Sequence, residues 1–109
     1  WQLFRRRLQE VDQLCRENNC HLTVAVFPFL HESAGERFAP VREKITGSCQ
    51  EDGIRAIDLV AAFEGRQGEN LTVNAFDAHP NEQAHKLVAD LLAEKIDLVL
   101  PPVPGEFEK

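Results

Sequence analysis

Asp77, His79 and His85, with Pro80 and Asn81 between the two histidines, are the residues whose types and spacing can do chemistry in this chain. A carboxylate two positions before a histidine makes an acid–base unit: the Asp holds one ring nitrogen, and the other faces a substrate or a nucleophile. The same residues admit a purely structural use, in which Asp77 and Asn81 cap a following helix and His79 lies on the surface between them. As metal ligands, Asp77, His79 and His85 follow no familiar zinc spacing and must converge across a loop and a helix. His85 falls inside the helical pattern, where packing or a hydrogen bond suits it better than catalysis. His21 and His31 lack recognisable partners and read as structural or exposed.

A nucleophile is harder to find. The two serines are Ser33, in HESAG, and Ser48, in TGSC; they read as a loop residue and a helix-end residue. A serine needs an adjacent base to attack at neutral pH, and neither position places one beside it.

The elements that must position the acid–base unit follow from periodicity. Phe4, Leu8, Val11, Leu14 and Cys15 mark one face of a helix over residues 2–17, and Asn18-Asn19 suits its end because Asn tolerates the left-handed conformation. Residues 22–27 are a nearly continuous β-prone run, the pattern of a parallel strand buried on both faces, which Pro28 closes. Residues 29–37 read as a loop. Pro40 suits the first turn of a second helix, with Val41, Ile45 and Cys49 as its apolar face and Gly53 beyond its end. Residues 54–57 predict a second strand with Asp58 at its carboxyl end, 59–63 a helical turn, and 65–70 a polar loop. From Pro80 onward, Ala84, Leu87, Val88, Leu91, Leu92 and Ile96 form a three-four apolar stripe, so residues 81–97 are expected to be the longest helix. Pro101, Pro102 and Pro104 end regular structure, and 101–109 is expected to be a disordered tail behind a domain at 1–100.

The alternation of helices and strands implies parallel strands joined by crossovers, an α/β layer architecture. Two strands are too few for a satisfactory sheet. The chain also starts at Trp1 without any Met, so the expectation is a piece of a longer polypeptide whose N-terminal part is missing.

At this point the run 76–89, FDAHPNEQAHKLVA, resembles the last conserved block of the SGNH (GDSL-type) hydrolases, esterases and lipases with a flavodoxin-like three-layer α/β/α fold. Asp77, His79, Pro80, Asn81, His85 and Ala89 match that block. Upstream, LTVAVFP and GIRAIDL are similar in order and kind to the family's strands. The resemblance implies that His79 is the base and Asp77 its orienter in a Ser-His-Asp triad, with the nucleophilic Ser and the oxyanion residues in earlier blocks absent from these 109 residues. It implies an acyl ester, lipid or acetylated sugar as substrate and no cofactor. The family's commoner spacing is D-x-x-H, one residue longer than here, which leaves Asp58 as a rival orienter; Ala84 stands where Gly is frequent. The chain alone is expected to be inactive.

Composition narrows the classes. A net charge of −6 argues against a general nucleic-acid binder, and Arg5-Arg6-Arg7, the only basic run, reads as a solvated helix face. There is no run of about 18 apolar residues, hence no membrane span. Cys15, Cys20 and Cys49 lack C-x-x-C spacing and read as small apolar residues or, in an oxidising compartment, one disulfide. Asn70-Leu71-Thr72 fits a glycosylation sequon, a pattern too short to weigh. The competing function is a non-catalytic α/β binding module derived from a hydrolase fold.

Overall fold

A computed structural model describes residues 1–31, 36–66 and 68–97. The expected tail at 101–109 and the loop serine Ser33 lie outside the described residues. The order of elements is α1 (Gln2–Glu17), β1 (Thr23–Val26), a 3₁₀ turn (Glu36–Phe38), α2 (Ala39–Glu51), β2 (Arg55–Asp58), a second 3₁₀ turn (Leu59–Phe63), β3 (Thr72–Asn74), β4 (Asp77–Pro80) and α3 (Glu82–Asp97). The fold is mixed α/β. β1 and β2 form a parallel pair in the register Thr23↔Arg55 to Val26↔Asp58, and α2 is the crossover between them.

Local chemistry explains most of the boundaries. α1 ends where Asn19 takes a φ of 56°, and α2 ends before Gly53 at φ 70°, both in the left-handed region that Asn and Gly enter at least cost. Pro40 sits in the first turn of α2. α3 begins behind Asn81, whose Oδ1 accepts from the backbone N–H of Ala84 at 3.0 Å.

The core lies between β2, the turn that follows it, and α3. Ile57, Leu59 and Val88 are buried together, with Ala62, Phe63, Leu91 and Leu92 packed against them. The stripe expected on α3 is thus covered, and Ala84 is fully buried. Cys49 and Ile54 are buried where α2 turns into β2.

α1 behaves differently, since none of its residues is buried and Leu3, Phe4, Val11 and Leu14 remain exposed. Ion pairs hold it instead. Arg5 donates to Asp52 through Nε at 2.9 Å and Nη2 at 2.8 Å, and to Glu51 at 3.0 Å, tying α1 to the end of α2. Hydrogen bonding from Arg5 holds the Asp52 carboxyl below the usual carboxylate range. Arg5 is therefore a tie between helices, although its neighbours in the triple-arginine run conform to a solvated face. Lys44 lies over the Trp1 ring, 4.7 Å from its centroid.

Several expectations change. β1 is half-buried, with Ala25 exposed, because among the described residues only β2 pairs with it and α1 buries nothing beside it. On α2 the inward positions are Arg42, Ile45 and Cys49, while Val41 is exposed. Arg42 displaces Val41 because its guanidinium reaches Asp58 at 3.1 Å, and a buried charge is tolerated when paired. Of the cysteines only Cys49 is buried; Cys15 is half-buried, Cys20 is exposed, and all three are free thiols. The largest change is the antiparallel hairpin β3–β4, which makes residues 77–80 a strand directly ahead of α3.

Candidate functional site

Pro80 explains why His79 lies on a strand. The residue before a proline is pushed out of the helical region into extended backbone, so α3 starts only after Asn81. Asn74 shapes the hairpin tip: its Oδ1 accepts from the N–H groups of Phe76 at 2.8 Å and Asp77 at 2.9 Å, a side chain standing in for a backbone turn. Asn81 fastens the other end. Its Nδ2 donates to the carbonyls of Asn70 at 2.7 Å and Thr72 at 3.2 Å while its Oδ1 caps α3. The hairpin is thereby anchored to the helix packed on the core.

On an extended strand, residues two apart face the same side. The single residue between Asp77 and His79 therefore brings carboxylate and imidazole together: Asp77 Oδ1 lies 2.5 Å from His79 Nδ1 and also accepts from the His79 backbone N–H at 3.0 Å. The short D-x-H spacing is compatible with the contact because the segment is a strand. The backbone N–H of His79, then its ring, hold the Asp77 carboxyl below its ordinary range, with a further contribution from His31. An ionised carboxylate is acceptor-only, so the paired Nδ1 carries the proton, and in the neutral imidazole Nε2 keeps the lone pair. No described residue bonds Nε2, and the His79 side chain is 86 % exposed.

Asp58, the rival orienter, is engaged elsewhere. One oxygen accepts from Arg42 and the other from the Val60 N–H at 3.0 Å, capping the 3₁₀ turn. Nor does Asp77 cap α3, a task that falls to Asn81 alone of the pair. His85 is exposed and meets Phe27 edge-on, with centroids 6.1 Å apart. His31, which sequence pattern leaves without a partner, contacts the Asn74 carbonyl through Nε2 at 3.2 Å. That contact draws the loop leaving the carboxyl end of β1 against the hairpin.

The result is an open groove of about 590 Å³ lined by Phe29, Phe76, Asp77, Ala78, His79 and Pro80. Phe29 follows β1, so the groove and His79 lie at the carboxyl end of the parallel pair, where ligands bind in open α/β sheets. Phe29 and Phe76 are lining residues that pattern reading misses, since a lone Phe in a loop has no periodicity; Asn74 at the first position of a turn is the signal that reveals the hairpin. Ser48 lies in the last turn of α2, just before β2 begins, and hence at the opposite end of the sheet. No three His, Cys, Asp or Glu side chains converge as a metal set among the described residues, and no helix there is long and apolar enough to cross a membrane.

What this arrangement can do is accept a proton at a solvent-facing imidazole steadied by a carboxylate. Comparison with family profiles, curated proteins and solved structures finds no match for the chain, so these side chains are the basis for reading it.

Proposed function

We propose that the chain is the base-bearing part of an SGNH-type ester hydrolase with a flavodoxin-like α/β/α fold, and that the nucleophilic serine comes from outside these 109 residues. The observation that carries this reading is the Asp77–His79 pair, with Nδ1 on the carboxylate and Nε2 without a bond among the described residues. In this role His79 takes the serine proton as the hydroxyl attacks the ester carbonyl, then returns it to the leaving alcohol. Asp77 selects the tautomer and stabilises the imidazolium formed in between. The DAHPN segment and its following helix support the assignment by their likeness to the family's last block.

The second reading, a non-catalytic binding module, draws on the two exposed rings of Phe29 and Phe76, which need no nucleophile to hold a ligand.

Hydrolysis of p-nitrophenyl acetate and fluorophosphonate labelling test the enzyme reading. The chain alone is expected to hydrolyse the ester no faster than free imidazole and to remain unlabelled. The polypeptide that also carries the serine is expected to be labelled there and to lose turnover on His79→Ala. Stoichiometric labelling of Ser33 or Ser48 in the chain alone, or full turnover in the His79→Ala protein, overturns the proposal.

A further inference from the structure

The groove beside His79 has two aromatic walls of unlike character. Phe29 is held in place: its ring packs on Phe38, with centroids 5.4 Å apart and planes at 54°, and stands edge-on to His31 at 6.4 Å. The His31–Asn74 contact fixes the same loop to the hairpin. Phe76 occupies the hairpin tip and is 100 % exposed, so its ring contributes nothing to the core. A large apolar ring left wholly in water beside a polar pair is poorly explained by folding. Ala78 and Pro80 complete the lining with small, flat apolar surface.

Charge selects among ligands. Asp77 is the carboxylate of the groove, and neither Lys nor Arg is among its described lining residues. An anionic group placed there meets a carboxylate that already holds the His79 ring, with no Lys or Arg among the described lining residues to offset it, whereas an uncharged ring meets two aromatic partners. Flat rings gain offset or edge-to-face contacts that a flexible chain cannot make.

We propose that the groove binds an uncharged aromatic ring between Phe29 and Phe76, and that the substrate class of the site is accordingly neutral aryl esters. The ring site stands on the groove alone; the word substrate rests on the ester hydrolase reading. A bound ring sets its ester over the Asp77–His79 edge, within the same lining.

Chemical-shift titration of the 109-residue chain tests the ring site without turnover, using benzamide, benzoate and hexanamide at about pH 8, above the ordinary imidazole range. Benzamide is expected to shift the amide signals of Phe29, Ala78 and His79 saturably. Benzoate and hexanamide are expected to bind several-fold more weakly. Phe76→Ala, at a fully exposed position, weakens benzamide by about two- to tenfold, while Val73→Ala on β3, outside the lining, leaves it within about twofold. Benzoate or hexanamide binding as tightly as benzamide, indifference to Phe76→Ala, or the absence of saturable shifts overturns the ring site. A failed esterase assay leaves this titration standing, and a failed titration leaves the Asp77–His79 assignment standing, so the two readings are separable.

Discussion

The two ends of the parallel pair β1–β2 hold the molecule's two most telling concavities, and they use polar groups in opposite ways. At the amino end, a cavity of about 410 Å³ is lined by Asp12, Arg16, Asn19, Cys20, His21 and Arg55 among others, a richer set than the carboxyl-end groove offers. Yet its cations are occupied. Arg16 pairs with Asp12 at 2.8 Å and donates to the Gly53 carbonyl at 3.2 Å; Arg55 donates to the Lys95 carbonyl at 3.4 Å. The C-terminal ends of α1, α2 and α3 converge here, and exposed carbonyls with the negative end of the helix dipole call for cations. Arg55 Nε is buried without a partner among the described residues, a local imperfection on an otherwise committed side chain. At the carboxyl end there are fewer polar groups, but one of them, His79 Nε2, has no bond among the described residues and belongs to a side chain that is largely exposed. A functional group is recognised by the valence its best partner leaves unused, and the size or polarity of the surrounding hollow is a poorer guide.

The sharpest test of this contrast is catalytic. Under the proposed hydrolase reading, Asp77→Asn in the polypeptide that also supplies the serine is expected to lower turnover by about 10³–10⁴-fold, because the amide favours the wrong imidazole tautomer. Arg16→Gln at the amino end is expected to leave kcat/KM within about twofold. Equal losses from the two substitutions in steady-state kinetics would abolish the distinction between the ends.

Next in size is the support beneath both ends. Leu59 is fully buried against the α3 face, and Leu59→Ala is expected to cost about 2–5 kcal/mol in urea denaturation. Since α3 supplies the Lys95 carbonyl at one end and follows the hairpin at the other, signals from both ends should be lost in one transition. Two separate midpoints would show that the ends are independently folded.

Smaller effects follow at each end. Asn81→Ala removes a helix cap and two bonds into the hairpin, and is expected to cost about 1 kcal/mol with faster amide exchange in β3 and β4. Arg16→Ala, an exposed ion pair, is expected to cost no more than about 0.5 kcal/mol. The reverse ranking would make the amino end the better braced of the two.

Smallest is the pH effect. Because the folded state depresses the Asp77 carboxyl, its stabilising contribution is present above the unfolded carboxylate value and disappears as pH falls through the lower, folded one. A carboxyl-detected titration should place Asp77 below the ordinary range, and His79→Ala should move it back up. Because Ala keeps the backbone N–H, the return is expected to be partial, and an unmoved midpoint would show that the imidazole is not among its causes.

Much of the fold is legible in the residues because local rules and tertiary needs agree. Asn19 and Gly53 end helices at positive φ, Pro40 opens α2, and the Ala84–Val88–Leu91 stripe is buried. Where the two conflict, pattern misleads. Val41 lies on the apolar spacing of α2, yet Arg42 takes the interior to meet Asp58 from another element. Residues 72–80 show no strand in the pattern because a three-residue strand and a strand containing Asp, His and Pro carry little β propensity; the side-chain bonds of Asn74 and Asn81 hold them as a hairpin.

The residues alone determine that Asp77 and His79 can meet: Pro80 forces extended backbone before it, and extended backbone puts alternate side chains on one face. They also determine which segments are helices, through spacing and end signals that act within a few residues. Long-range contact decides the rest. The bond of Arg42 to Asp58 leaves Asp77 as the carboxylate at the imidazole. The contact of His31 with the Asn74 carbonyl, 43 positions away, carries Phe29 to the edge of the site. Such pairings depend on which ends of which elements arrive together, and burial of the few side chains around Leu59 sets that arrangement.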